Sequence, residues 1–174
     1  MKGLFKAIDA VALILYWISG LLLVVMMLTV VADVLCRALF DLSNESINWT
    51  FIGGIEIVKY SLLFSMLCAF PYAVDKGQIV VDLFTHSWST TTLRWFDGFY
   101  TLMLGVLGGL LSWRFFLAGE EAALSGELTQ DLLLPMEPIY LLAAIPLAVL
   151  AVRGFSCALK NVLYPVNKPS EVPA

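Results

Sequence analysis

Of 174 residues, 60% are hydrophobic and only 14% charged, with a mean hydropathy of +0.89 and a formal net charge of −4. A soluble domain carries about 25% charged residues. The composition therefore excludes an ordinary water-soluble enzyme, and no basic patch for nucleic acid is present. Four apolar runs, roughly 11–31, 51–74, 96–117 and 132–152, occupy most of the chain. Each satisfies the need for about 20 mainly apolar residues to cross about 30 Å of hydrocarbon. The predicted fold is an all-α, integral membrane four-helix bundle forming one membrane domain over 1–174, in direct contact with the lipid bilayer.

The first run follows Met1-Lys2-Gly3-Leu4-Phe5-Lys6 and is longer than the apolar core of a cleaved signal peptide, so a retained first helix is expected. It ends in a segment holding Asp33 and Arg37, four apart and hence on one helix face, where they can pair. A polar loop and Trp49 lead into the second run. That run carries Glu56 and Lys59, three apart. If the span begins near Phe51, they lie about 8 and 12 Å deep by helix rise. Charges at the centre of a span cost about 2.5–3.5 kcal/mol each. Pairing would offset part of that cost, and removing Glu56 would strand Lys59. The same pair could also dock against polar groups of another membrane subunit.

Between the second and third runs, Ile79, Val80, Leu83, Phe84 and Trp88 alternate with Asp82, Thr85, His86 and Ser89. This spacing predicts a short interfacial helix over about 79–88. The third run holds Gly105 and Gly109, a small-xxx-small pair that permits close helix approach, within the bundle or between subunits. Glu120, Glu121, Glu127 and Asp131 then form an acidic stretch with no Lys or Arg from Phe115 to Val152. The fourth run opens with Pro135 and Pro138, tolerated where a first turn lacks N–H partners. Pro146, inside it, predicts a kink.

Seven basic residues fall on one side: Lys2, Lys6, Lys76, Arg94, Arg153, Lys160 and Lys168, the last three assigned to a C-terminal tail. Two, Arg37 and Arg114, fall on the other. The positive-inside rule then places both termini in the cytoplasm and the acidic loop outside. One histidine, His86, and three scattered cysteines, Cys36, Cys68 and Cys157, supply neither a haem pair nor a zinc set. No phosphate loop, nucleophile elbow or HExxH motif is present. No catalytic residue, metal or cofactor is expected. The first, third and fourth spans are nearly all apolar, which argues against a solute path in this chain alone. An accessory subunit fits better than a stand-alone oligomeric carrier or channel, which would need Glu56 and Lys59 to line a shared pore.

The order of these features resembles a known family. A basic tail precedes a span ending in Arg37-x-x-Phe40. A polar loop with Trp49 leads to a span with an early carboxylate and a basic residue, Glu56 and Lys59. Asp75-Lys76-Gly77-Gln78-Ile79-Val80-Val81-Asp82-Leu83 follows, and after the third span come Leu134-Pro135 and Ile145-Pro146. The chain is similar, over about residues 5–155, to the small four-helix (Q-type) membrane subunit of tripartite ATP-independent periplasmic (TRAP) transporters; Gln78 stands where many members have histidine. The resemblance implies a multi-pass protein of a bacterial or archaeal inner membrane. It implies a large multi-span subunit that carries solute and sodium. It further implies a periplasmic substrate-binding protein delivering a carboxylate, a sulfonate or a compatible solute. In such a complex the small subunit scaffolds the large one. Asp33, Arg37, Glu56, Lys59, Gly105 and Gly109 become candidate bundle or interface residues. Glu120, Glu121, Glu127 and Asp131 become a candidate docking loop for the binding protein.

Overall fold

The computed structural model describes residues 2–42, 53–74 and 90–163. The interfacial segment 79–88, with His86 and Gln78, and the loop residue Trp49 lie outside them. Among the described residues four helices follow in chain order: α1 (Lys2–Leu42), α2 (Gly54–Ala73), α3 (Thr90–Ser125) and α4 (Met136–Leu163). All four are long and apolar enough to cross a membrane. The architecture is thus an all-α membrane bundle. In hydrocarbon every backbone donor and acceptor must be met internally, and helices do this within one segment.

Three helices outrun the apolar windows that announce them. At 1.5 Å per residue, α1 extends about 60 Å and α3 about 54 Å, nearly twice the hydrocarbon thickness. Hydropathy locates only the apolar stretch, whereas the hydrogen-bond ladder continues through polar residues until something stops it. At the end of α3 the stop is Gly126, with φ 66°. The amides of Gly126 and Glu127 both return to the Ala122 carbonyl, at 3.0 and 3.3 Å, a left-handed cap that glycine adopts without steric cost. Helix α2 instead starts later than its apolar run, at Gly54, after Gly53 with φ 87°. The α3–α4 loop lies over this helix start, with Leu132 Cδ2 2.5 Å from where a Cβ on Gly53 would sit, and the left-handed φ is one that glycine adopts without steric cost.

The helices pack in the order α1–α2–α4–α3, with α1 also touching α4. The core is built largely from small residues. Ala12, Ala122, Ala143, Ala144, Ala151 and Ala158 are buried, and Leu147 and Leu150 join Val74 in an apolar cluster. Lipid offers no hydrophobic drive between helices, so close backbone approach and interhelical hydrogen bonds hold such a bundle. At mid-depth the Ser65 hydroxyl donates to the Ser19 carbonyl at 3.2 Å, joining α1 to α2. The Ser112 hydroxyl donates to the Ala144 carbonyl at 2.9 Å, joining α3 to α4.

Candidate functional site

The polar groups that could carry function gather at the two ends of the bundle. One end holds the α3–α4 loop and the start of α2, and is called the loop end here. The other holds the ends of α2 and α4 and the start of α1, the tail end.

At the loop end, residues 126–135 form a compact turn. Leu128 and Pro135 make an isolated antiparallel bridge. The Thr129 amide donates to the Leu134 carbonyl at 2.8 Å, and the Leu134 amide donates to Thr129 Oγ1 at 3.0 Å. Two amides at the tip, those of Asp131 and Leu132, are met by Glu56. They donate to its Oε1 and Oε2 at 2.8 and 3.1 Å. Glu56 is 6% exposed and stands in the first turn of α2. There the free N–H groups of the helix favour a carboxylate. One turn on, the Tyr60 hydroxyl contacts Met136 Sδ at 3.3 Å, fastening α2 to the start of α4.

This geometry separates the pair that spacing joins. Lys59 is exposed, with its Nζ 5.3 Å from the Tyr60 ring, and makes no ion pair with Glu56. Two fixed amides satisfy both carboxylate oxygens without the entropy cost of ordering a lysine. Glu56 also lies nearer the bundle end than a span starting at Phe51 implies, because α2 begins at Gly54.

At the tail end the key residue is Arg153, which sequence reasoning assigns to a C-terminal tail. It lies inside α4 and is 4% exposed. Its Nη1 donates to the Pro71 carbonyl of α2 at 2.8 Å, and its Nη2 pairs with Asp9 of α1 at 3.2 Å. Its guanidinium lies 5.5 Å from the Tyr72 ring centroid, and Tyr72 in turn packs on Tyr16 at 4.7 Å. Pro71 belongs to the last turn of α2, whose carbonyls have no intrahelical donor, and a cation is favourable there. Arg153 thus ties three helices together. Nothing in a linear charge count marks it out, although the pairing of one acid, Asp9, with the first basic residue after α4's apolar stretch is a usable signal.

The remaining candidates fall into place around these junctions. Asp33 and Arg37 pair at 3.0 Å near the end of α1, as their spacing predicts. Gly105 belongs to the α3–α4 seam. A Cβ on Gly154 would sit 2.5 Å from Gly105 Cα, and one on Gly108 would sit 3.0 Å from the Ala151 amide nitrogen. Gly109 is looser, its nearest neighbour being Ala151 Cβ at 3.7 Å. The close pair along α3 is therefore Gly105 and Gly108, and it serves packing inside the bundle. The acidic stretch divides: Glu120 and Glu121 ride on the last turns of α3, and only Glu127 and Asp131 belong to the loop. Glu121 lies 3.8 Å from Arg114. All four acidic side chains are on exposed residues.

The described residues thus form four helices long and apolar enough to cross a membrane, with the buried charges Glu56 and Arg153 engaged by groups of the same chain. Neither the curated proteins nor the solved structures gave a significant match. A family model for tripartite ATP-independent periplasmic transporters, DctQ component, matches residues 26–163, most of the chain, and the protein belongs to that family of small transporter components.

Proposed function

We propose that this subunit catalyses nothing itself and scaffolds the large, solute-translocating membrane subunit of a TRAP-type secondary transporter. The transporter takes up a small organic anion or compatible solute, coupled to sodium, after delivery by a periplasmic binding protein. The subunit sits in the inner membrane with both termini in the cytoplasm and the loop end in the periplasm. One observation carries this reading. Among the described residues the buried charges are Glu56 and Arg153, and each is engaged in bonds between helices or with a loop of the same chain. A solute path needs polar groups facing a cavity. A shared pore lined by Glu56 and Lys59 is disfavoured for the same reason, since Glu56 turns into the subunit and Lys59 away from it. Family membership implies the large subunit and the binding protein.

The experiment is a mild-detergent pull-down of the tagged subunit from native membranes, followed by reconstitution. The expected result is stoichiometric recovery of a many-span subunit. Uptake in proteoliposomes then requires both membrane subunits, the binding protein and a sodium gradient. Recovery of the chain alone as a homo-oligomer that transports unaided would overturn the proposal.

A further inference from the structure

Leu133, in the α3–α4 loop, is the one non-glycine residue with positive φ among the described residues, at 53°. A left-handed backbone brings the Cβ of a leucine against the carbonyl that follows, a cost that glycine escapes. Bonds on both sides hold the conformation. The Leu132 amide donates to Glu56 and the Leu134 amide to Thr129 Oγ1, while the Leu134 carbonyl accepts from the Thr129 amide. The Met136 amide closes the loop on the Glu127 carbonyl at 3.0 Å. These bonds account for the bend in the backbone. They do not account for a leucine at the bend.

Packing within the chain does not account for it either. Leu132 turns inward over Gly53, whereas Leu133 is 66% exposed. Leu128 and Leu134 are exposed beside it in sequence, so the loop presents an apolar tip on a fixed backbone. The same end of the bundle carries five exposed acidic residues: Glu120 and Glu121 on α3, Glu127 and Asp131 in the loop, and Glu137 in the first turn of α4. Glu121 lies 3.8 Å from Arg114, and no Lys or Arg lies between Phe115 and Val152. Carboxylates in this number are too costly to sink into hydrocarbon, so lipid chains do not cover the tip. In water, glycine would hold the bend at lower cost than leucine. Strained residues that their surroundings over-determine cluster at functional sites.

We infer that Leu133 is an anchor for the periplasmic binding protein, which receives its side chain in an apolar pocket rimmed by Lys or Arg. Charge complementarity selects such a partner from the water phase, because the anchor is set among acidic residues with a single basic one near them. One buried side chain can carry much of a docking energy. A loop already fixed by hydrogen bonds loses little freedom when it docks. This inference rests on the proposed delivery of solute by a binding protein and on the loop end facing the periplasm.

The test uses the complex of both membrane subunits in lipid nanodiscs and the solute-loaded binding protein of the same transporter. Docking is read as a dissociation constant, and folding as the thermal midpoint of the complex. Leu133→Gly and Leu133→Asn both accept a left-handed backbone without the apolar side chain. Each is expected to weaken docking at least about tenfold, at a midpoint no lower than that of the wild type. Leu133→Met retains most of the affinity, and added salt weakens docking of the wild type. Leu124→Ala, at a leucine 90% exposed near the end of α3, changes the affinity less than about twofold. Normal docking by Leu133→Gly overturns the inference. A lowered midpoint in both Gly and Asn variants also overturns it, since the leucine then serves packing. Loss of the large subunit from the Leu133→Gly complex sets the leucine against that subunit instead, which overturns the inference and leaves the scaffold role intact. A wild-type complex that takes up no binding protein overturns the proposed delivery itself, and the inference with it.

Discussion

The loop end and the tail end of the bundle are fastened by opposite charges, and both grip the same helix. At the loop end an anion on α2, Glu56, collects two backbone donors from the α3–α4 loop. At the tail end a cation from α4, Arg153, meets a backbone acceptor in the last turn of α2 and a carboxylate from α1. Each charge complements the partial charge of the α2 terminus beside it. The difference is in reach. Glu56 stands on the helix it completes and orders one loop, whereas Arg153 comes from another helix and joins three. Along α2 the two junctions lie about 22 Å apart.

The comparison breaks most visibly at Arg153. Arg153→Ala removes the charged bond to Pro71, the Asp9 pair and the packing of the side chain on Tyr72 together, for a loss of about 3 kcal/mol. The expected outcome is a large loss of stability in detergent unfolding of the purified subunit, with α1 released first and read by proteolysis near Asp9. Glu56→Gln comes next. It keeps the shape and one acceptor oxygen but loses the charge, for a loss of about 1.5–3 kcal/mol. Hydrogen exchange should quicken at the Asp131 and Leu132 amides and remain unchanged at the tail end. The double variant should be additive within about 0.5 kcal/mol, because the sites share no partner. Coupling well above that, measured by the same unfolding assay, would show that α2 transmits strain between its ends.

Asp9→Asn sharpens the contrast. The Asp9 side chain is 60% exposed, so its loss should cost about 1 kcal/mol or less, well below that of Arg153→Ala. An equal loss in the two variants would mean that the ion pair, and not the bond to the α2 terminus, holds the tail end. The smallest effect is expected between the ends. Ser65→Ala removes the hydroxyl bridge to Ser19 and should cost about 0.6 kcal/mol, the usual size for such bonds in membrane helices. A shift in unfolding midpoint larger than that for Asp9→Asn would move the main anchor of α1 from the tail end to mid-depth.

The readings that hold share a physical basis, and so do those that fail. Asp33 and Arg37 pair because four residues along one helix are neighbours whatever surrounds them. Gly105 meets α4 closely because a small residue always leaves that option open, yet Gly108 and not Gly109 makes the second close contact. Which side of α3 faces α4 is a packing outcome. Glu56 and Lys59 share a face by spacing, but the carboxylate finds better donors in a loop some 75 residues away. Glu120 and Glu121 read as loop because acidic residues follow an apolar run, while the helix continues beneath them to Ser125.

What the sequence by itself determined was the solvent and the element type. Long runs of apolar residues must lie in lipid, and lipid admits only segments that satisfy their own backbone, so four membrane helices follow from composition and length. Arg37, the Glu56–Lys59 spacing and the Gly77–Leu83 stretch carried the family likeness, and the family match over 26–163 agrees with it. The tertiary structure alone decided the helix order α1–α2–α4–α3, the burial of Arg153 and the capture of the loop by Glu56. These depend on which distant backbone groups are left without partners once the helices pack. A buried charge goes to whichever of those groups it can reach, and local spacing does not encode that reach.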